Sequence, residues 1–110
     1  MKIPSTMFLA ATLAAATGAS AAPAPQLEIH YFKFQPITVT VAPGTTVRWV
    51  NHDEETHTVT SVTGQFASAG LDLDETFTHT FAQPGTYTYF CALHPQMKAT
   101  VIVASPRKGQ

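Results

Sequence analysis

The sequence predicts an all-β domain, a sandwich or barrel of about seven short strands. Three observations carry that expectation. β-branched and aromatic residues recur in short runs whose apolar and polar positions alternate, the period of a half-buried strand. Two Pro-Gly pairs, Pro43-Gly44 and Pro84-Gly85, punctuate those runs as tight turns. Beyond the amino-terminal segment almost nothing repeats with the period of a helix.

The first run covers residues 27–34. Its apolar phase changes partway, with Leu27, Ile29 and Tyr31 on one face and Phe32 and Phe34 on the other. A bulge near Tyr31 would reconcile the two halves. Ile37, Val39 and Val41 then alternate with Thr38 and Thr40, and after the first Pro-Gly turn Val47 and Trp49 continue the inward phase. Residues 51–56 read as a polar loop, 57–62 as a short strand, and 63–74 as a loop containing Gly64 and Gly70. Alternation returns in Phe77-Thr78-His79-Thr80-Phe81. The run 86–91 places Tyr87, Tyr89 and Cys91 on one face, and residues 98–104 close the sheet. There is no internal repeat and no sign of a second domain.

The amino terminus reads as a secretory signal. Met1-Lys2 is a short positive start, residues 7–16 are almost wholly apolar, and Ala19-Ser20-Ala21 is an A-x-A cleavage site. The apolar run is too short for a membrane span. The expected division is therefore a signal peptide over 1–21, a flexible leader over 22–26, the domain over 27–105 and a tail over 106–110. Loss of Lys2 with the signal leaves five bases (Lys33, Arg48, Lys98, Arg107, Lys108) against seven acids, a net charge of −2. No basic run suggests nucleic acid. The acids gather in Asp53-Glu54-Glu55 and between Asp72 and Glu75, which read as solvated loops rather than as a docking patch for a cationic partner.

Chemistry concentrates in Cys91-Ala92-Leu93-His94-Pro95-Gln96-Met97. A secreted domain of this size often carries disulfides, but a lone cysteine cannot form one within the chain. An immunoglobulin-like sandwich would explain Tyr89-Phe90-Cys91 as a tyrosine-corner motif, yet it needs a second cysteine on the facing sheet. Metal ligation explains the thiol, with intermolecular pairing as the alternative. A thiolate, an imidazole and a thioether are donors that select copper, the thioether as the weak axial contact of a blue-copper centre. Zinc could use Cys-x2-His, but it does not take a thioether. The set needs a second imidazole. A histidine that opens a strand is more often a surface group, and the three-donor loop makes His57 the candidate.

In these segments the chain resembles the cupredoxins, and among them the small amicyanin-like blue-copper proteins of bacteria. The resemblance runs from Ile29 to Val103. It rests on Phe32-Lys33-Phe34-Gln35-Pro36, on the run from Pro43 to Asn51, on His57-Thr58-Val59, on the run from Phe81 to Cys91, and on the Cys-x2-His-x2-Met loop. It implies a Greek-key β-sandwich of seven to eight strands and one type 1 copper ion bound by His57, Cys91, His94 and Met97. It also implies that His94 presents its ring edge to a partner, with Leu93 and Pro95 as a small apolar collar. The amino-terminal strand region looks shorter than in amicyanin-like sequences, and two single-residue departures stand out. Thr58 replaces the asparagine that in many members steadies the cysteine loop, and Thr56 stands where amicyanin-like sequences place proline. Both bear on the reduction potential and the partner rather than on the ligands, and a methylamine-oxidising partner is not carried over.

The remaining histidines read as structural. His79 is in phase with Phe77 and Phe81, as a hydrogen-bonded residue at the core edge; His52 sits in the acidic loop, and His30 carries no signal. The expected function is one-electron transport between periplasmic or membrane redox partners, for example a cytochrome or a dehydrogenase, by a monomeric protein that is not an enzyme. A copper delivery or resistance protein without redox cycling is the alternative. A fragment of a multicopper oxidase or nitrite reductase is disfavoured, because those enzymes carry further copper ligands on additional domains.

Overall fold

Eight strands form two four-stranded sheets, and alternation decides which faces meet. The computed structural model describes residues 24–105. The expected signal peptide and the tail over 106–110 lie outside the described residues. The strands are β1 (Gln26–His30), β2 (Lys33–Gln35), β3 (Thr38–Val41), β4 (Thr45–Asn51), β5 (Thr60–Ser61), β6 (Thr76–Phe81), β7 (Gly85–Cys91) and β8 (His94–Val103). One sheet runs β2-β1-β4-β6 and the other β3-β8-β7-β5. Only the β1–β2 and β7–β8 connections are hairpins within a sheet; every other connection crosses to the opposite sheet. That wiring makes β1 parallel to β4 and β3 parallel to β8, while the other pairings are antiparallel.

The core lies between the sheets. β8 shows the pattern clearly: Met97, Ala99, Val101 and Val103 are buried, while the residues between them are exposed or half-buried. Leu27 and Ile29 from β1, Val47 and Trp49 from β4, Phe81 from β6, and Tyr89 and Cys91 from β7 pack against it. Burying one such large apolar side chain contributes roughly 1.5–3 kcal/mol. Trp49 occupies the centre, with Tyr89 edge-on at 5.4 Å between ring centroids and Phe77 at 5.7 Å. The Pro43-Gly44 turn is as expected. Thr45 N donates to Ala42 O, and Gly44 adopts φ +89°, the conformation a type II turn demands at that position.

Four local expectations change. Residues 27–34 contain no bulge: they are two strands joined by a two-residue turn at Tyr31-Phe32, with His30 paired to Lys33. The chain joins the fold one residue before Leu27, since Gln26 pairs with Arg48, and Arg48 N donates to Pro25 O at 2.9 Å. Only Thr60 and Ser61 of 57–62 form a regular strand, paired with β7, and on its other side 57–61 makes an irregular ladder with the segment expected to be loop. His57 and Leu71 exchange backbone bonds of 3.1 and 2.7 Å, and Ser61 N donates to Phe66 O. Phe66 and Leu71 are thereby delivered to the core. Finally, β8 begins at His94 rather than at Lys98, because Cys91 pairs with His94 across the Ala92-Leu93 turn. Since Phe90 pairs with Lys98, residues 95–97 bulge out of the ladder. Pro95, which has no N–H to donate, opens that bulge.

Candidate metal centre

Cys91 ends β7 on the inward face and is fully buried. The tight Ala92-Leu93 turn brings His94 back beside it, with Nδ1 3.5 Å from Sγ. His57 comes from the opposite direction, opening the irregular ladder to Leu71, and its Nδ1 lies 3.7 Å from the same sulfur. The ligand atoms of His57, Cys91 and His94 all lie within 4.8 Å of one another, and among the described residues no other group gathers donors in this way. Met97 is buried on the inward face of β8, three residues beyond His94. It also lines a groove with Phe32, Phe34 and Ile37, where Lys33 and Lys98 stand alongside.

Backbone and side-chain bonds hold Cys91 and His57 in place. Thr58 N donates to Cys91 Sγ at 3.4 Å, which helps fix the position of the sulfur. Thr58 Oγ1 accepts from Ala92 N at 2.7 Å and contacts Thr60 Oγ1 at 2.8 Å. The threonine that departs from the family pattern thus ties the residue after one donor to the residue after another. His57 Nε2 lies 2.8 Å from Asp53 Oδ2. An ionised carboxylate only accepts, so Nε2 carries the hydrogen and the Nδ1 lone pair faces Cys91.

Asp53 is the residue that sequence reasoning missed. It was expected in a solvated acidic loop, but its side chain is nearly buried and bonds to three groups: Tyr31 N, Phe32 N and His57 Nε2, each at 2.8 Å. Burial raises its pKa, but the bonds from Phe32, Tyr31 and His57 outweigh that, and the carboxyl lies below its usual 3.8. Fully buried Asn51 shapes the loop that carries it. Asn51 Nδ2 donates to Glu55 O and Leu71 O at 2.9 and 2.7 Å, and its Oδ1 accepts from Asp53 N. The one available signal was an acid four residues before the candidate His57.

The other histidines are apart from the centre. His52 pairs with Glu28 and approaches Asp74. His79 does lie at the core edge, but ring contacts with Phe66 (4.6 Å) and Phe81 (4.8 Å) hold it, with no side-chain hydrogen bond among the described residues. Desolvation lowers its pKa from 6.5. The tyrosine-corner geometry belongs to Tyr87, whose hydroxyl donates to Gln83 O at 2.6 Å, and not to Tyr89. Of the expected docking residues, Leu93 is 55% exposed, Pro95 is exposed and His94 is half-buried between them.

The Cupredoxin-like domain family matches residues 5–103. The chain belongs to the cupredoxin family. Amicyanin of Paracoccus versutus is 36% identical over 80 residues, which cover 68% of this chain and 61% of that protein. The chain thus spans under two thirds of that relative's length. Amicyanin-alpha of Methylorubrum extorquens is 31% identical over 103 residues, covering 89% and 87%. A purple cupredoxin from Nitrosopumilus maritimus superposes with a TM-score of 0.67 at 30% identity, covering 73% of this chain and 99% of that one. A Cu-containing nitrite reductase from Thermus scotoductus reaches 0.73 at 29% identity, covering 84% of this chain but only 25% of the enzyme. That likeness is to one part of a larger protein. The all-β sandwich and the family resemblance are both borne out. Cupredoxins bind one copper ion, and a buried thiol, two imidazole nitrogens and a thioether in this cupredoxin are donors that copper takes.

Proposed function

We propose that this cupredoxin is a soluble one-electron carrier between redox proteins, with copper held by His57, Cys91, His94 and Met97. The observation that carries the reading is the buried Cys91 thiol with two imidazole Nδ1 atoms at 3.5 and 3.7 Å. Bound copper supplies the one-electron couple. The protein's part is to keep the donors still: Asp53 fixes the His57 ring, Thr58 N donates to the sulfur, and two packed sheets hold the strands that carry them. Little rearrangement is then needed when the charge changes. No acid–base pair or substrate cavity enters the reading, and catalysis is no part of it.

His94 is half-buried between exposed Leu93 and Pro95, a small apolar face suited to brief docking with a redox protein donor or acceptor. The working form is a monomer in the periplasm, reached through the signal peptide read in residues 1–21. The alternative is copper delivery without redox cycling; it calls for exchangeable donors, whereas Met97 and Cys91 are buried. The test is to add Cu(II) to the purified domain and record the visible spectrum. An intense thiolate-to-copper band that disappears in Cys91→Ser is expected; absence of the band, or its survival in that variant, would sink the assignment. Rapid electron exchange with a cytochrome then separates the carrier from a delivery protein, which would instead pass copper to an acceptor.

A further inference from the structure

The β1–β2 turn is built from residues ill-suited to its backbone. Tyr31 and Phe32 both adopt φ +57°, and they are the two central residues of a two-residue hairpin, with His30 paired to Lys33. Such turns require positive φ at both positions and normally use Asn-Gly or Asp-Gly, since a bulky side chain there is strained. Burial does not explain the choice, because Tyr31 is 71% and Phe32 44% exposed. Strain of this kind persists where surrounding structure over-determines it, and it clusters at functional sites.

Two features identify what holds the turn and what it holds in return. The Asp53 carboxylate, more than twenty residues away in sequence, accepts from the backbone N–H of both Tyr31 and Phe32 at 2.8 Å. The turn so fixed sets the Phe32 ring nearly perpendicular to both imidazoles of the candidate centre. Its centroid is 4.9 Å from that of His57 at 87°, and 4.9 Å from that of His94 at 83°. On its other flank Phe32 lines the groove shared with Met97. One side chain from the first hairpin therefore lies against both candidate donor rings and beside the groove that Met97 lines.

We propose that Phe32 is a positioning residue of the metal centre, a wall that restrains the His57 and His94 rings and limits water, and that Asp53 is the clamp holding this wall through the turn. The inference rests on the carrier reading for its effect on copper, but the clamp itself does not depend on copper. Asp53 touches His57 and not His94, whereas Phe32 touches both. Because the His57 and His94 rings themselves lie 5.0 Å apart, Phe32→Ala, which leaves the carboxylate and its bond to His57 in place, is the variant that isolates the wall.

The experiment uses NMR of the full domain without metal, followed by the copper-loaded form. In the unaltered protein the Tyr31 and Phe32 amides should resist hydrogen exchange although their side chains are exposed. Asp53→Asn should accelerate their exchange at least about tenfold, as expected for losing bonds to a charged acceptor. The His94 ring signals should move in Phe32→Ala, where the aromatic ring current is removed, and also in Asp53→Asn, where the ring is released; Phe32→Tyr should leave them in place. In the copper form, Phe32→Ala should slow electron self-exchange several-fold and Phe32→Tyr should restore it. Unprotected Tyr31 and Phe32 amides, or exchange unchanged in Asp53→Asn, would overturn the clamp. His94 signals that move in Phe32→Ala but not in Asp53→Asn would also overturn it. His94 signals indifferent to Phe32→Ala, or self-exchange unaltered by it, would overturn the wall. A protein that passes the metal-free tests yet shows no thiolate-to-copper band would refute the carrier reading alone.

Discussion

The two halves of the candidate centre are encoded in different ways. The half made of Cys91, His94 and Met97 is local: one hairpin turn and one bulge gather three donors within seven residues. The half around His57 is assembled from three distant segments, the Tyr31-Phe32 turn, the loop from Asn51 to His57, and Leu71. A local half needs only a strand, a turn and the right donors. The assembled half needs a buried amide and a buried carboxylate whose partners lie about twenty residues away. Substitutions should therefore act differently on the two. In the local half they should change the metal chemistry and little else; in the assembled half they should cost stability first.

The largest effect on stability should come from Asn51→Leu. It leaves buried Asp53 N without its acceptor, strips Leu71 O of one of its two donors and frees the part-buried Glu55 O, at roughly 1–3 kcal/mol for each group that stays unsatisfied. Denaturant unfolding should show a loss of several kcal/mol. A variant that binds copper normally and unfolds at the same midpoint would break the distinction drawn above.

The next effect is a pH dependence behind the local half. Tyr89 is fully buried two residues before Cys91, its hydroxyl has no hydrogen-bond partner among the described residues, and burial pushes its pKa up to about 12 from 10.0. The neutral phenol is the folded form. Stability from this group is complete below pH 10, and it falls as pH rises from 10 toward 12 while the unfolded chain ionises first. The total loss is on the order of 2–3 kcal/mol. Tyr89→Phe should remove that dependence without loss at neutral pH, because it deletes an unpaired hydroxyl. A chemical-denaturation series from pH 8 to 12 checks both statements.

Thr58→Val is smaller and sharpens the comparison, because Thr58 joins the halves. It keeps shape and the N–H to Cys91 Sγ but leaves Ala92 N without its acceptor, at a cost of about 1–2 kcal/mol. A shift of the thiolate-to-copper band with only a modest fall in midpoint is the expected result; a fall as large as that of Asn51→Leu would place Thr58 in the assembled half. The smallest effect belongs to His79, remote from both. Its pKa is depressed by desolvation, so the stability it contributes is present above 6.5 and is lost as pH falls below that value. His79→Phe should flatten the stability profile between about pH 5 and 6.5 and leave the copper spectrum unchanged.

The same division explains what could be read from the sequence. Strand alternation, the Pro43-Gly44 turn and the donor loop are short-range patterns, and they are legible in consecutive residues. The Tyr31-Phe32 turn is not, because its residues have the side chains of a strand and none of the usual turn chemistry. The same limit applies to Asp53, which looks like its solvated neighbours Glu54 and Glu55 until the hairpin folds against it. The pairing of 57–61 with 66–71 was hidden because Gly64 and Gly70 mark the segment as loop, while its backbone bonds are made across the irregular ladder. His57 itself carries no signal of its own; only the loop's need for a second imidazole points to it.

One consequence follows from the crossing connections between the sheets. The contacts of the centre extend from Tyr31 on the first hairpin to Met97 on the last strand, so no stretch of chain that stops short of β8 contains them. During synthesis the candidate donors emerge in the order His57, Cys91, His94, Met97, and the strand that carries the last two is also the one that joins β3 to β7 in the second sheet. Completion of the fold and completion of the binding site are thus a single late event, and a half-made chain offers a passing metal ion scattered side chains rather than a cage.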